Sequence, residues 1–233
     1  MFFKQLFDPE SSSYSYLIAD TASREAILVD SVLEQVERDL KLIEELSLTL
    51  KFCLETHIHA DRITGTGKLR DLTGCLGIVP TNAKANCADR FITDGEIIRL
   101  GAIEIQAIET LGHTDSHMAY LVNGDRVLTG DALLIQGCGR TDFQNGDAAT
   151  LYDSVINKLF TLPDDVLVYP AHDYHGRIVS TIGEEKRSNP RFRYYSTEAH
   201  RSDFVRLMNN LDLNYPMKMM EAVPANLNCG KLN

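Results

Sequence analysis

Apolar residues in this chain come in short blocks with two kinds of spacing. Around "YSYLIAD" and "EAILVD" they cluster or alternate over a few positions, which predicts strands. In "SVLEQVERDLKLIEEL", Val32, Val36, Leu40 and Ile43 recur every three or four residues, which predicts an amphipathic helix. Ser31, with Glu34 three residues later, supplies a capping-box start for it. "LTLKFCLETH" is an apolar run rich in β-formers, a buried strand that stops where histidines begin. "GTGKLRDLTG" predicts a helix closed by Gly74, and "CLGIVP" a short strand. "EIIRLGAIEIQAIET", "MAYLVNG" and "RVLTGDAL" predict further strands divided by Gly, Asn and Asp turns. "AATLYDSVINKLFTL" returns to helical spacing, "DVLVYPAHD" is a strand ending in His172 and Asp173, and "STEAHRSDF", with His200, reads as a solvated helix face. Strands thus fall into two groups, each with helices. That pattern suits two packed sheets with helices outside, an α/β fold of the αββα sandwich type, in one domain over residues 1–233.

Composition narrows the function more than the fold. With 44% hydrophobic and 24% charged residues the chain reads as an ordinary globular protein, and no apolar run reaches membrane-spanning length. The opening "MFFKQLFDPESSSYSYLIAD" has neither signal-peptide nor transit-peptide character, so the cytoplasm is the expected location. A net charge of −10 argues against nucleic acid or an anionic membrane as partner and favours a small ligand. The five cysteines, Cys53, Cys75, Cys87, Cys138 and Cys229, are scattered and never form a CxxC pair, so reduced thiols are expected.

Candidate chemistry gathers at strand ends. "ETHIHADRITG" alternates His57, His59 and Asp61, which an extended segment presents on one side. His113 lies in "LGHTDSH", Asp131 in "LTGDAL" and His172 in "VYPAHD". Imidazole nitrogens and carboxylate oxygens are the usual ligands of divalent metals, and loops at the edge of a rigid scaffold are where such residues converge. Arg62 follows Asp61, and its permanently charged guanidinium has no lone pair to offer a cation. A second cation beside it is disfavoured, which predicts one metal; an ion pair with Asp61 accounts for the arginine equally well.

HxHxD, GHT, GDAL and PAHD together resemble the metallo-β-lactamase superfamily. The longer blocks "LTGDALLIQGCGRTDFQNGDAATLYDSV", "YPAHDYHG", "GEEKRSNPR" and "MNNLDLNYPMKMMEAVPANLNCG" resemble its persulfide dioxygenases. The resemblance implies one Fe(II) per chain, held by His57, His113 and Asp131, with His59, Asp61 and His172 around it. It implies oxidation of glutathione persulfide by dioxygen to sulfite and glutathione. Arg140 and Tyr174 then match positions near the substrate, with Arg62 and Cys138 as further candidates. For Arg140 a structural ion pair with Asp142 or Asp147 is the plainer reading, and for Cys138 a small buried apolar residue is. The resemblance further suggests a homodimer and a functional link to a sulfurtransferase. The competing expectation is a hydrolase of glutathione thioesters of the glyoxalase II kind, whose two-metal chemistry Arg62 counts against.

Overall fold

The computed structural model describes residues 1–192 and 198–231. Its contacts group the chain into two compact units. The first comprises residues 1–92, 97–104 and 215–233; the second comprises 93–96 and 105–214.

The first unit is built on a six-stranded sheet in the order β1 (Phe2–Asp8), β2 (Ser13–Ala19), β3 (Glu25–Val29), β4 (Thr49–Leu54), β5 (Leu76–Pro80), β6 (Arg90–Ile92). The first three strands pair antiparallel and β3 to β6 pair parallel. Parallel neighbours need crossovers, and α1 (Val36–Glu45) and α2 (Thr66–Thr73) supply two of them. All seven residues of β2 are buried, as a strand covered on both faces requires. α1 lays Val36 and Ile43 against Leu17, Leu28, Leu50 and Leu69. Gly74 closes α2 at φ 73°, a left-handed geometry that glycine adopts without steric cost.

The expected capping box at Ser31 is not formed. α1 begins only at Val36, after a 3₁₀ turn over Leu33–Gln35. The Ser31 hydroxyl is buried and lies 3.4 Å from the Thr64 hydroxyl and 3.3 Å from that of Thr66, so tertiary partners displace the local one.

The second sheet runs β12 (Ser180–Thr181), β11 (Leu167–Pro170), β10 (Arg126–Gly130), β9 (Met118–Val122), β8 (Ile103–Glu109), β7 (Ile97–Leu100). In the second unit β8, β9 and β10 are antiparallel neighbours, while β10 and β11 are parallel and joined through α3 (Ala148–Ser154), whose last turns widen to a π-helix over Val155–Leu159. Asp147 caps α3 by accepting from the Thr150 amide. α4 (Ile182–Ser188) and α5 (Glu198–Asn209) follow, and Leu151, Leu159, Phe160, Phe192 and Phe204 form the core beneath them. The helix expected around His200 is α5; Ser196 and Thr197 lie outside the described residues.

The expectation that all cysteines are reduced is corrected. Cys87 and Cys229 form a disulfide, with Cα atoms 5.8 Å apart and 142 residues between them. α6 (Met219–Leu227) carries Cys229 back to the first unit, a contact that cysteine spacing alone does not announce. Cys53, Cys75 and Cys138 are free thiols. Among the described residues no helix is long and apolar enough to cross a membrane.

Candidate metal centre

β4 delivers the chain into "ETHIHADRITG", and the first unit folds this segment inward: His57, His59 and Arg62 are each at most 2% exposed. The organising group is Asp30, just past β3, held at φ 53°. Its carboxylate accepts the Thr56 amide at 2.7 Å and the Thr56 hydroxyl at 2.8 Å. Having given its only proton to Asp30, that hydroxyl accepts from His57 Nδ1, 2.9 Å away. His57 is thereby fixed with its lone pair on Nε2, the form that binds metal.

His59 turns the other way. Its Nε2 lies 3.1 Å from Asp30 and 3.3 Å from Glu55. Burial and the nearby Arg62 push its pKa down, yet the carboxylates outweigh both and hold it at about 9. Burial likewise opposes the charge on Asp30, and His59 and Arg62 overcome it, leaving Asp30 below the ordinary carboxylate range. Arg62 Nη1 is 3.4 Å from Asp61 and Nη2 is 3.4 Å from His59 Nε2. The ion pair with Asp61 is therefore present, and the Arg62 charge also favours the ionised form of the buried Asp30. Donor atoms of Asp30, Glu55 and His59 fall within 4.8 Å of one another. Two cations, His59 and Arg62, already balance the two acids there, so the group is complete without an ion.

Asn226, in α6, closes this loop. Its amide donates to the carbonyls of His59 and Arg62, both at 2.8 Å, and its oxygen accepts from the Thr64 amide at 2.8 Å.

In the second unit, His113 follows β8 and donates from Nδ1 to the Arg140 carbonyl at 2.6 Å. Its Nε2 lone pair faces Asp131, 3.5 Å away. Asp131 sits just past β10, and His172 Nδ1 donates to its Oδ1 at 2.7 Å. The Asp131 amide donates to His117 Nε2 at 3.0 Å, so His117 carries its proton on Nδ1 and gives it to Thr110 at 2.8 Å. His117, without a role from its sequence context, is a neutral strut beneath Asp131. Gly139 passes so close that a methyl group there would stand 2.5 Å from the Asp131 carbonyl and 2.7 Å from His113 Nδ1.

The remaining candidates separate. Arg140 is engaged: its guanidinium grips Asp142 with two 2.7 Å hydrogen bonds, donates to the Asn214 carbonyl and lies over the Phe143 ring. Tyr174 is 69% exposed and its ring stacks on His172. Burial pushes the Cys138 thiol up to about 12, and its sulfur rests 3.8 Å from that of Met208, which is a packing role. Asp173 caps its own loop, accepting from the amides of His175 and Arg177. "GEEKRSNPR" resolves into a buried brace. Glu185 accepts from the Gln136 amide, Ser180 and Asn189, while Asn189 donates to the Gly137 carbonyl at 3.0 Å. These bonds hold the loop that leads to Gly139 and Arg140.

The Metallo-beta-lactamase superfamily model matches residues 8–172. "Persulfide dioxygenase ETHE1, mitochondrial" of Mus musculus is 48% identical over 229 residues, covering 97% of this chain and 88% of that protein. A crystal structure of ETHE1 from Myxococcus xanthus superposes with TM-score 0.95 at 52% identity, covering 99% of this chain and all of that one. A probable metallo-hydrolase of Burkholderia pseudomallei is more distant, 31% identical over 97% of this chain and 92% of its own length. The chain belongs to the metallo-β-lactamase superfamily and has its αββα fold. Within that superfamily it is an enzyme of the persulfide dioxygenase kind. Its candidate metal-binding residues are His57, His113 and Asp131.

Proposed function

We propose that the chain oxidises glutathione persulfide with dioxygen to sulfite and glutathione, at one Fe(II) held by His57, His113 and Asp131. One water is consumed per persulfide and dioxygen. The observation that carries this is the protonation pattern: His57 and His113 each spend Nδ1 as a donor, on Thr56 and on the Arg140 carbonyl, and keep Nε2 for metal. Two such imidazoles with one carboxylate form the donor set of mononuclear non-haem iron oxygenases. Bound iron supplies redox chemistry with dioxygen that Zn²⁺ lacks, and leaves coordination positions open.

The chain's own residues do the rest. His172 holds one Asp131 oxygen and turns the other toward His113, and His117 fixes the Asp131 backbone. The Asp30–Thr56 pair orients His57, while Asp61, His59 and Arg62 stand behind as a balanced charge group. Arg62 supports a single metal, because a guanidinium has no lone pair for a second cation and its charge opposes one nearby. Arg140 takes a glutathione carboxylate in bidentate fashion by exchanging it for Asp142, and the exposed Tyr174 offers its ring and hydroxyl to the same ligand. The reading takes residues 1–233 as one cytoplasmic domain, paired as a homodimer and supplied with persulfide by a sulfurtransferase.

The test is oxygen uptake by the Fe(II)-loaded protein given glutathione persulfide, with sulfite and iron measured on the same sample. Uptake matched by sulfite, at one iron per chain, is expected. Cleavage of S-lactoylglutathione without oxygen uptake, at two metals per chain, would replace this reading with the hydrolase.

A further inference from the structure

The loop carrying His57 is held from far away in sequence. Between β4 and α2 the chain runs through Glu55–Gly65 without regular structure, so its buried backbone groups need partners from elsewhere. Asn226 supplies three at once: the carbonyls of His59 and Arg62 and the amide of Thr64 all meet one side chain that is 4% exposed. Both amide hydrogens and the oxygen are used, so alanine has nothing to offer in its place.

What keeps Asn226 there is a short element. α6 is nine residues long, contains Pro224, and buries Ala222, Ala225 and Asn226, while its own Met220 and the preceding Met217 are 78% and 96% exposed. Its apolar partners are small patches: Ala222 and Ala225 meet Ile63 and Leu33, and Val223 packs on the cluster of Ile58, Val79, Ala83 and Ala85. Firm attachment comes three residues beyond Asn226. The Cys229 carbonyl accepts the Gly67 amide at 2.9 Å, and Cys229 is bonded to Cys87 on the segment after β5. A small cavity, about the size of one water, lies behind the loop and is lined by Glu55, His57, His59, Asn226 and Cys229. Loosening the C-terminal segment therefore opens the back of His57 to water.

We propose that Asn226 is a positioning residue for the iron-binding loop, and that the Cys87–Cys229 disulfide makes its grip depend on oxidation state. With the bond closed, the C-terminal segment clamps the loop and iron is retained. When a dithiol donates two electrons and two protons, the bond opens to two thiols, the dithiol becomes its own disulfide, and the segment is left on its apolar contacts and hydrogen bonds, without the covalent tie. This inference rests on His57 being an iron ligand.

The experiment measures how fast the chelator ferrozine strips Fe(II), without oxygen, from the full-length protein. The samples are oxidised wild type, wild type reduced with dithiothreitol and desalted, Cys87→Ser, Asn226→Ala and His57→Ala. Loss of a group that orients a metal ligand costs roughly 10–100-fold in affinity, so Asn226→Ala should release iron about that much faster. Reduced wild type and Cys87→Ser should release it at a common rate above that of oxidised wild type, and dithiothreitol should not change Cys87→Ser further. In the Co(II)-loaded proteins the visible absorption bands should move in Asn226→Ala, since a merely destabilised fold would bind less cobalt with unshifted bands. Cys87→Ser keeps the test open should Asn226→Ala fail to fold. The proposal is overturned if Cys87→Ser and reduced wild type hold iron as long as oxidised wild type while His57→Ala holds none. If His57→Ala retains iron like wild type, the ligand assignment falls and this inference with it.

Discussion

Replacing Arg62 by methionine tests whether its charge, rather than its bulk, holds the first unit's buried cluster together. Methionine keeps much of the apolar stem and removes the guanidinium. In the native protein two buried acids, Asp30 and Glu55, meet the cation His59, and Arg62 lies beside His59 with its charge favouring ionised Asp30. The variant leaves one cation for both acids in a site where Arg62 and His59 are each 1% exposed. Removing one partner of a buried charge set costs about 3–5 kcal/mol. The contact with Asp61, 34% exposed, adds little because solvent screens it. At roughly 2–4 °C per kcal/mol for a chain of this size, the melting temperature should fall by about 6–20 °C. Urea unfolding of the metal-free protein measures the loss, and Arg62→Lys should recover part of it by restoring a charge without the planar fork. The pH dependence has a definite sign. Burial opposes the Asp30 charge, but His59 and Arg62 hold its folded pKa below the ordinary value, so its stabilisation exists above that value and fades as pH falls through the folded one. The gap between variant and wild type should therefore narrow in acid. A loss under about 1 kcal/mol at neutral pH, or a gap that widens in acid, would refute the charge-balance account.

Gly139→Ala puts a methyl 2.5 Å from the Asp131 carbonyl and 2.7 Å from His113 Nδ1. Overpacking of this kind costs about 1–3 kcal/mol, and kcat/KM with persulfide should drop at least about tenfold, whereas Gly137→Ala, whose methyl meets only Leu134 at 3.8 Å, should leave it unchanged. Glu185→Ala strips acceptors from the Gln136 amide, Ser180 and Asn189, and should cost about 2–3 kcal/mol in urea unfolding. Asp39 in α1 is buried, and burial raises its pKa despite the bond from Arg38. Because the fold disfavours its charged form, Asp39→Asn should stabilise the protein at pH 7, and the gain should vanish below the ordinary aspartate value of 3.8, which unfolding at the two pH values will show.

Strand ends were the legible part of this sequence. β4, β10 and β11 each read as an apolar run that stops at a histidine or aspartate; the first two ends supply the candidate ligands His57 and Asp131, and the third supplies His172, which holds Asp131. Period alone suffices for α1, because its buried face repeats within the element, and the closing glycine marks α2. Ser31 misled because a serine followed by a glutamate is a local signal, and two threonines more than thirty residues away outbid it. The disulfide is illegible in the sequence for the same reason at larger scale: 142 residues separate its halves. Asn226 lies 162 residues from the Thr64 amide it satisfies, and Glu185 is 49 from Gln136. No spacing rule reaches that far. Both nevertheless sit in blocks, "VPANLNCG" and "GEEKRSNPR", that the family resemblance singled out without giving them work to do.

That division has a physical origin. A ligand is chosen for the atom it presents, and residue type reveals that atom. Whether the atom is available depends on a proton, and each proton here is placed by a neighbour the motif does not contain. Thr56 settles His57 only because Asp30 takes the hydroxyl proton, and Asp30 comes from the preceding strand. A backbone carbonyl settles His113, and that carbonyl belongs to Arg140, whose loop is held by Asn189 and Glu185. His117 can strut Asp131 only as the Nδ1 tautomer, which Thr110 enforces. In each case the candidate ligand's neighbour is itself fixed by a further group, so the basicity of the candidate ligands is a property of the whole buried network. Arg62 belongs to the same logic: beside HxHxD it looks like the loss of a ligand, and within the network it is one of the two charges that keep Asp30 ionised and able to orient His57.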